Sequence, residues 1–404
     1  MDRLHLFYAT VGTCAAVLAL VSRQLRRLPV REPLVALLAG VVLGPQLTGL
    51  VEIDDPVRDV LLLEGARLLL AASVMAAALR FPVTSWRPLT GRLVVLLLVV
   101  MPVAAAVAGA AALLLGVPVA LAVLIGACLS PTDPVLAASV VTGEPAERDL
   151  PGRLRRLLTV ESGANDGLAL PLVALALAAA LPDEGVAGVA GTLVWQVLAG
   201  TVIGVVAGAA AGCAIRAATG QHSLSRGPEL VFTLLLAVAV LGVARLAGTD
   251  GVLAVFVTGA AYNRVVGDNV RGPQDSIDEA VNRYAVLPLF VLLGIVLPWH
   301  DWIAFGPAAV AFAAAVLLVR RLPVVLALAR PLRLPLREAV FAGWFGPIGI
   351  SALFYLTHSI DKGVQDPRVF AAGTLAIAVS VIAFGVSGTP LRKAYADSGS
   401  RDSE

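Results

Sequence analysis

The chain alternates long apolar segments with short polar connections, and this alternation restricts the folds open to it. Most segments are near the roughly 20 residues that a helix needs to span a bilayer. Only 14% of the residues are charged and 58% are hydrophobic, whereas soluble domains carry about 25% charged residues. The sequence therefore predicts an all-α polytopic membrane protein with about 13 transmembrane helices. The thirteen segments cover residues 4–22, 32–50, 60–79, 92–115, 118–142, 155–181, 187–215, 228–247, 250–266, 284–298, 304–328, 336–358 and 367–390.

The connections on the two sides of these segments differ in positive charge. Of the 30 Lys and Arg residues, 22 fall on one side and 5 on the other, and Arg67, Arg320 and Arg321 lie within segments. Cytoplasmic connections are the ones enriched in Lys and Arg. We therefore expect a multi-pass protein of the cell membrane, with the N-terminus outside. Residues 1–390 form the transmembrane domain, and 391–404 form a short cytoplasmic tail.

Two of the segments are interrupted by helix-breaking residues. The fifth contains Ser130-Pro131-Thr132-Asp133-Pro134, and the twelfth contains Gly346-Pro347. If segments 1–6 and 8–13 form two inverted six-helix repeats around the seventh, both breaks occupy the fifth helix of a repeat. Such matching interruptions are typical of transporter sites and predict two crossed broken helices. The alternative for the first break is a polar connecting loop in which Asp133 is an Asx-type cap.

Two carboxylates, Asp133 and Asp166, fall near the centres of their segments. An ionised carboxylate at the bilayer midplane costs at least ~2.5 kcal/mol, so it needs a cation, a donor or a proton. Burial favours the protonated form of a carboxyl, and a bound cation favours the ionised form. Asp166 is the predicted carrier of cation or proton because its helix is uninterrupted, with Ser162 at i−4 on the same face.

Asp133 and Thr132 are expected to work beside the unwound backbone. Broken helices leave N–H and carbonyl groups without intrahelical partners. The charge of Asp133 offsets the positive helix N-terminus that meets it. Thr132 offers a hydroxyl and freed carbonyl oxygens to Na+.

Glu161 and Asn165 lie on the same helix as Asp166. Glu161 needs a basic partner at this depth, which Arg320 or Arg321 could supply; alternatively, both arginines reach the cytoplasmic interface. Asn165 is expected to donate to the unwound backbone or to a carboxylate, and the alternative is a general interhelical hydrogen bond.

Together these motifs resemble the monovalent cation/proton antiporters of the Na+/H+ exchanger type. Thr132-Asp133-Pro134 is similar to the broken-helix motif of that superfamily, and Asn165-Asp166 resembles its electroneutral-type site. The resemblance is greatest to the fungal plasma-membrane Na+/H+ antiporters and their bacterial relatives. It includes the runs 132–136, 165–167, 250–256, 295–299, 320–323 and 345–349.

The resemblance implies roles for these residues. Asp166 carries the ion or proton, with Thr132, Ser162 and Glu161 near Na+, while Asp133 and Asn165 support the crossing. It also implies a homodimer, with a core domain around 118–181 and 304–390 and a scaffold or dimer domain formed by the rest. Many relatives have arginine where Ile348 stands, so the partner of Glu161 must be Arg320 or Arg321, if it has one.

The expected function is secondary active antiport of Na+, with Li+ as a further candidate, against H+. One aspartate would bind cation and proton competitively, with no cofactor and no nucleic-acid partner. K+/H+ antiport on the same scaffold is the nearest alternative, because the sequence does not reveal cavity size. An ion channel and an intramembrane enzyme with Asp133 and Asp166 as an aspartyl pair are the remaining alternatives.

Overall fold

The computed structural model describes residues 2–25, 30–181, 186–221, 226–249, 251–267 and 280–401. Within these ranges the secondary structure is helical and contains no β-strand. The predicted all-α fold is confirmed. Asp250 and residues 402–404 of the predicted tail lie outside the described residues.

The first half of the chain begins with three helices and contains the first predicted break. Short 3-10 and π turns join α4 and α5 into one helical stretch, Val83–Leu115. The helices are α1 (Asp2–Leu25), α2 (Glu32–Leu43), α3 (Asp55–Arg80), α4 (Thr90–Val95), α5 (Met101–Ala112), α6 (Val119–Cys128), α7 (Pro134–Val141), α8 (Glu144–Asp149) and α9 (Gly152–Ala180).

The second half contains the second predicted break and the last long helix. A π-helical segment, Ala315–Val319, continues α15 in the direction of α16. The helices are α10 (Val186–Gln221), α11 (Arg226–Leu246), α12 (Val252–Val266), α13 (Leu287–Ile295), α14 (Trp299–Phe305), α15 (Pro307–Ala314), α16 (Leu322–Ala327), α17 (Leu336–Trp344), α18 (Ile350–Asp361) and α19 (Pro367–Arg401).

Each of the thirteen apolar segments contains at least one helix in the described residues. Six helices there are long and apolar enough to cross a membrane, and a helix pair bent by 62° raises the number to seven. The others are shorter or broken. The count of thirteen spans therefore stays a prediction.

Several predicted boundaries differ from the structure, among them the ends of α2 and α19. α2 ends at Leu43 rather than near 50, because Gly44-Pro45 follows and the residue before a proline disfavours the α conformation. α19 continues past 390 to Arg401, so most of the predicted tail extends this helix. Its end packs inward, with the Tyr395 ring 5.4 Å from that of Phe341.

Glycines bring several helices into backbone contact. A Cβ at Gly40 in α2 would lie 2.0 Å from the Val291 carbonyl oxygen of α13, and one at Gly294 would lie 2.1 Å from Leu37 O. Small residues of this kind allow helices to pack closely in a bilayer, where lipid gives no hydrophobic drive for association. Large apolar side chains such as Leu246 remain exposed, at 91%, as lipid-facing residues do.

Candidate cation site

The uninterrupted helix α9 carries four of the predicted site residues near its middle. Glu161, Ser162, Asn165 and Asp166 are each at most 2% exposed. Glu161 and Asn165 are four residues apart, as are Ser162 and Asp166, so each pair lies on one face of the helix. The sequence prediction of a continuous helix agrees with this geometry.

Two glycines let neighbouring helices approach α9 at this level. A Cβ at Gly163 would lie 3.0 Å from the Cβ of Ala77 in α3, and one at Gly167 would lie 2.9 Å from the Cα of Leu253 in α12. α9 is thus enclosed by protein here. Ionisable side chains inside a membrane normally face such interiors.

The first break separates α6, which ends at Cys128, from α7, which begins at Pro134. Pro134 is at the first helical position, where its missing N–H is not needed. Asp133 caps α7: its Oδ1 accepts from the backbone N–H groups of Val135 at 2.7 Å and Leu136 at 3.1 Å. Asp133 is therefore a helix cap, but it is 0% exposed and belongs to no polar surface loop.

The second break, between α17 and α18, contacts the first. The Asp133 backbone N–H donates to the Pro347 carbonyl at 2.9 Å, and its Oδ2 accepts from the Ile350 N–H at the start of α18. One carboxylate therefore accepts from the N-terminal turns of both α7 and α18. Negative charge is favourable at these positive helix ends.

Arg320 supplies the opposite charge to the opposite helix ends. Its guanidinium donates to the Leu129 carbonyl after α6 and to the Gly346 carbonyl after α17. The side chain is only 2% exposed. Asp133 and Arg320 together provide a charge complement for all four helix ends at the two breaks.

Arg321 is the partner of Glu161. Its Nη1 and Nη2 donate to the two carboxylate oxygens at 2.8 and 2.9 Å, a bidentate arrangement. Its Nε donates to the Ala342 carbonyl at 3.1 Å. Both arginines lie inside the protein, and neither reaches the interface as the alternative interpretation proposed.

Asn165 and Ser162 connect α9 to Thr132 in the first break. The Asn165 amide donates to Thr132 Oγ1 at 2.7 Å and to Glu161 Oε1 at 3.2 Å, and its Oδ1 accepts from the Thr132 N–H at 3.2 Å. The Ser162 hydroxyl donates to the Thr132 carbonyl at 2.5 Å. The side chain of Asn165 thus bonds both to the unwound backbone and to a carboxylate.

Asp166 differs from these residues because its carboxylate has no hydrogen-bond partner in the described part of the chain. The side chain of Asp166 is 0% exposed. The Tyr355 hydroxyl donates to the backbone carbonyl of Asp166 and not to its carboxylate. A buried ionised carboxylate without donors is strongly unfavourable. Protonation or a bound cation would relieve this cost.

Ser351 is a site residue that the sequence reasoning missed. Its hydroxyl faces the Asp166 carboxylate without the geometry of a hydrogen bond. Ser351 lies one turn before Tyr355 on α18, directly after the Gly-Pro break. The sequence feature that could have indicated Ser351 is a small polar residue at the start of α18, next to the second break.

The polar groups gathered here present mainly oxygen atoms. A carboxylate, hydroxyls and carbonyls are oxygen ligands of the kind that hard cations take. The described residues contain no group of three or more His, Cys, Asp and Glu residues that could hold a metal ion.

Comparison with known proteins identifies the chain's family. The family model described as sodium/hydrogen exchanger, transmembrane, matches residues 13–394. The chain belongs to this family. The resemblance read from the motifs is thereby confirmed.

Relatives of this exchanger-family protein include fungal antiporters. It is 33% identical over 378 residues to Na(+)/H(+) antiporter 2 of Zygosaccharomyces rouxii, covering 88% of this chain and 46% of the relative. It is 30% identical over 378 residues to a Na(+)/H(+) antiporter of Saccharomyces cerevisiae, covering 88% and 38%. The chain thus spans less than half the length of these two relatives.

A solved structure supports the same fold for this exchanger-family chain. The sodium proton antiporter MjNhaP1 from Methanocaldococcus jannaschii matches with a TM-score of 0.76 and 15% identity, covering 98% of this chain and 97% of that one. This likeness concerns the fold.

Proposed function

We propose that this protein is a secondary active antiporter that exchanges Na+ for H+ by alternating access. Asp166 binds either the cation or the proton, never both. Each ion therefore displaces the other from this carboxylate before it is carried across the membrane. Competition for one carboxylate couples the two fluxes without covalent chemistry and without a cofactor. Li+ is proposed as a further substrate.

The observation that carries this proposal is the state of Asp166. Its carboxylate is fully buried and has no hydrogen-bond donor among the described residues, whereas the neighbouring Asp133 accepts three backbone N–H bonds. Of these two carboxylates, Asp166 is thus the one to which we assign the proton or the cation. Membership of the exchanger family supports the same assignment.

The residues around Asp166 have distinct proposed roles. Thr132, Ser162 and Glu161 border the Na+ position, and Asn165 holds Thr132 in place. Arg321 neutralises Glu161. Asp133 and Arg320 stabilise the two breaks. Gly346 and Pro347 supply unwound backbone in the second break.

The wider organisation is also part of the proposal. The two breaks lie in inverted six-helix repeats, and the core domain comprises 118–181 and 304–390. The remaining helices form a scaffold through which two copies make a homodimer. The protein resides in the cell membrane, with its N-terminus outside and its C-terminus in the cytoplasm, because 22 of its 30 Lys and Arg residues then face the cytoplasm.

An intramembrane aspartyl enzyme is disfavoured by the contacts of Asp133. A catalytic pair needs two carboxylates that can share a proton. Both oxygens of Asp133 are occupied by backbone N–H groups, so this carboxylate is committed to the helix ends.

The test is proton flux in proteoliposomes loaded with purified protein. An outward gradient of Na+, Li+ or K+ is imposed, and internal pH is followed with and without a clamped membrane potential. We expect Na+ and Li+ to drive proton movement in the opposite direction, since both compete with H+ for Asp166.

The other outcomes identify the alternatives. Flux driven by K+ alone would assign the protein as a K+/H+ antiporter. Cation flux that is independent of the pH gradient would indicate a channel. Absence of any cation-dependent flux from folded protein would contradict antiport altogether.

A further inference from the structure

Two buried serine hydroxyls near the level of Asp166 have no hydrogen-bond partner among the described residues. Ser73 lies in α3 and Ser351 in α18, and both are 0% exposed. A buried hydroxyl without a hydrogen bond is unfavourable. Two such hydroxyls, on helices that both contact α9, are candidates for binding a ligand there.

A helical hydroxyl ordinarily avoids this cost by donating to the carbonyl one turn earlier. Four buried helical hydroxyls elsewhere in the described residues do so at 2.7–2.9 Å. Ser73 also lies within a regular helix but does not form this bond, so its hydroxyl points elsewhere. For Ser351 the residue four positions earlier lies in the break. The back-bonded residues are Thr258, Thr357, Ser359 and Thr374.

The contacts between α3 and α9 fix the register of the two helices. Arg80 Nη1 donates to Thr159 Oγ1 at 3.2 Å, and one turn further the Cβ of Ala77 lies 3.0 Å from a Cβ at Gly163. Residue numbers fall along α3 as they rise along α9, so the helices are antiparallel.

One turn further along the contact between α3 and α9, Ser73 of α3 is level with Asp166 of α9. Ser73 is four residues before Ala77, and Asp166 is three residues after Gly163, so each lies on the same face as the contact residue of its own helix. The register of the two helices therefore places Ser73 at the level of Asp166 on the neighbouring helix. Ser351 approaches from the α18 side, since it lies one turn before Tyr355, whose hydroxyl donates to the Asp166 backbone carbonyl.

The hydroxyls on the other side of Asp166 are already engaged. Thr132 Oγ1 accepts from Asn165, and the Ser162 hydroxyl donates to the Thr132 carbonyl. These bonds fix the orientation of both hydroxyls. The hydroxyls of Ser73 and Ser351 make no such bond among the described residues, so each can turn a lone pair towards a cation.

We propose that Ser73 and Ser351 are ligands of the transported cation, which binds between them and Asp166. The proposal rests on the proposed antiport function and names two further ligands of that site. When Asp166 is protonated, its O–H can donate to one of the same hydroxyls. Because α3 belongs to the proposed scaffold and α9 and α18 to the core, the ligands span the interface at which these domains move.

The test compares Ser73→Ala and Ser351→Ala with wild type in two measurements. One is the KM for Na+ in proton-flux assays, and the other is the Na+ concentration that gives half of the Na+-induced rise in Tm in detergent. Each substitution is expected to raise both by about tenfold, since a hydrogen bond to a charged group contributes roughly 1.5–3 kcal/mol.

Ser359→Ala is the matched control, because Ser359 is a buried serine of α18 that is already bonded to a backbone carbonyl. It should keep the wild-type Na+ dependence. A variant that is merely less stable would show a lower Tm without Na+ but an unchanged Na+ midpoint. Unchanged midpoints in both serine variants would overturn the proposal.

The proposed function fails on different results. If Asp166→Asn abolishes flux while both serine variants behave as wild type, only the ligand proposal falls. If the wild-type protein neither transports nor is stabilised by Na+, Li+ or K+, both proposals fall.

Discussion

At the residue scale, the ion pair of Glu161 and Arg321 shows how burial shapes the energetics. Both side chains are at most 7% exposed, so each charge has lost its water. The net stabilisation from such a pair is small because desolvation offsets attraction, but removing one partner leaves an uncompensated charge. The pair therefore matters most when it is broken.

Glu161→Gln is expected to destabilise the protein by about 3–5 kcal/mol, because Arg321 is left buried without its carboxylate. Adding Arg321→Gln should recover part of the loss, so the two effects are not additive. Thermal unfolding in detergent measures this. Glu147→Gln is the control, since Glu147 is 63% exposed in its pair with Arg155 and should cost about 1 kcal/mol at most. Additive losses would contradict pairing.

A second ion pair joins Asp366, just outside the membrane-spanning segments, to Arg368 at the start of α19. Hydrogen bonds and charge from Arg368 lower the pKa of Asp366, and Arg368 Nη1 also donates to the Gly116 carbonyl at 2.8 Å. Because the folded pKa is below the unfolded one, the stabilisation is present above the unfolded pKa. It is lost as pH falls through the folded pKa.

Asp366→Asn should therefore lower the Tm slightly at neutral pH, by an amount equivalent to about 0.5–1 kcal/mol, and should make no difference in acid. Unfolding scans of both proteins at a series of pH values test this. A difference that grew towards acid pH would have the wrong sign.

The sequence located the carboxylates of the site but not all of their partners. Arg320 and Arg321 are adjacent, so the sequence pattern cannot tell which of them faces Glu161. The helical segment ends at Val319, and the backbone conformation after it determines that Arg321 does. Ser73 and Ser351 lie in apolar helices in which most serines are packing residues. Their significance depends on contacts between segments far apart in sequence.

At the element scale, the two helix breaks form one unit. Asp133 accepts from the N-terminal ends of α7 and α18, and Arg320 donates to the C-terminal ends of α6 and α17. Prolines and glycines in the sequence predicted where the helices stop. That Arg320 completes the unit could not be predicted, because it comes from a separate segment.

Gly349→Ala should disturb this unit. A Cβ there would lie 2.1 Å from Asp133 Oδ2, and this carboxylate cannot turn away without losing its backbone bonds. We expect a loss of about 1–3 kcal/mol, typical of overpacking, together with reduced flux. Thermal unfolding and flux are the measurements.

The control for this substitution is Gly242→Ala in α11, where a Cβ would have no atom within 4 Å. Alanine favours a helix more than glycine does, so this variant should be at least as stable as wild type. Equal stability of Gly349→Ala and Gly242→Ala would contradict a tight contact at Asp133.

At the scale of the whole molecule, composition and periodicity predicted a helical membrane protein, and motif resemblance predicted its family. Both are confirmed. The number of spans could not be fixed in the same way, since several helices are short or broken and are held by glycine contacts with other helices, such as those of Gly40 and Gly294.

Orientation is predicted by the distribution of positive charge and can be tested with two lysines. Lys362 follows α18 and Lys393 lies near the end of α19, and both are exposed. In intact cells, a membrane-impermeant maleimide should label Lys362→Cys but not Lys393→Cys; after permeabilisation it should label both. The reverse pattern would contradict the proposed orientation, and the parent protein gives the background from its own cysteines.

The central claim is that the Asp166 carboxylate carries the transported cation or proton, and Na+-driven proton flux through Asp166→Asn in proteoliposomes tests it most directly. Because the carboxylate has no protein donor in the described structure, asparagine should leave the Tm undiminished while flux falls to the level of protein-free liposomes. Asp366→Asn, outside the site, is the control and should transport as wild type does. Retention of wild-type flux by folded Asp166→Asn protein would contradict the account.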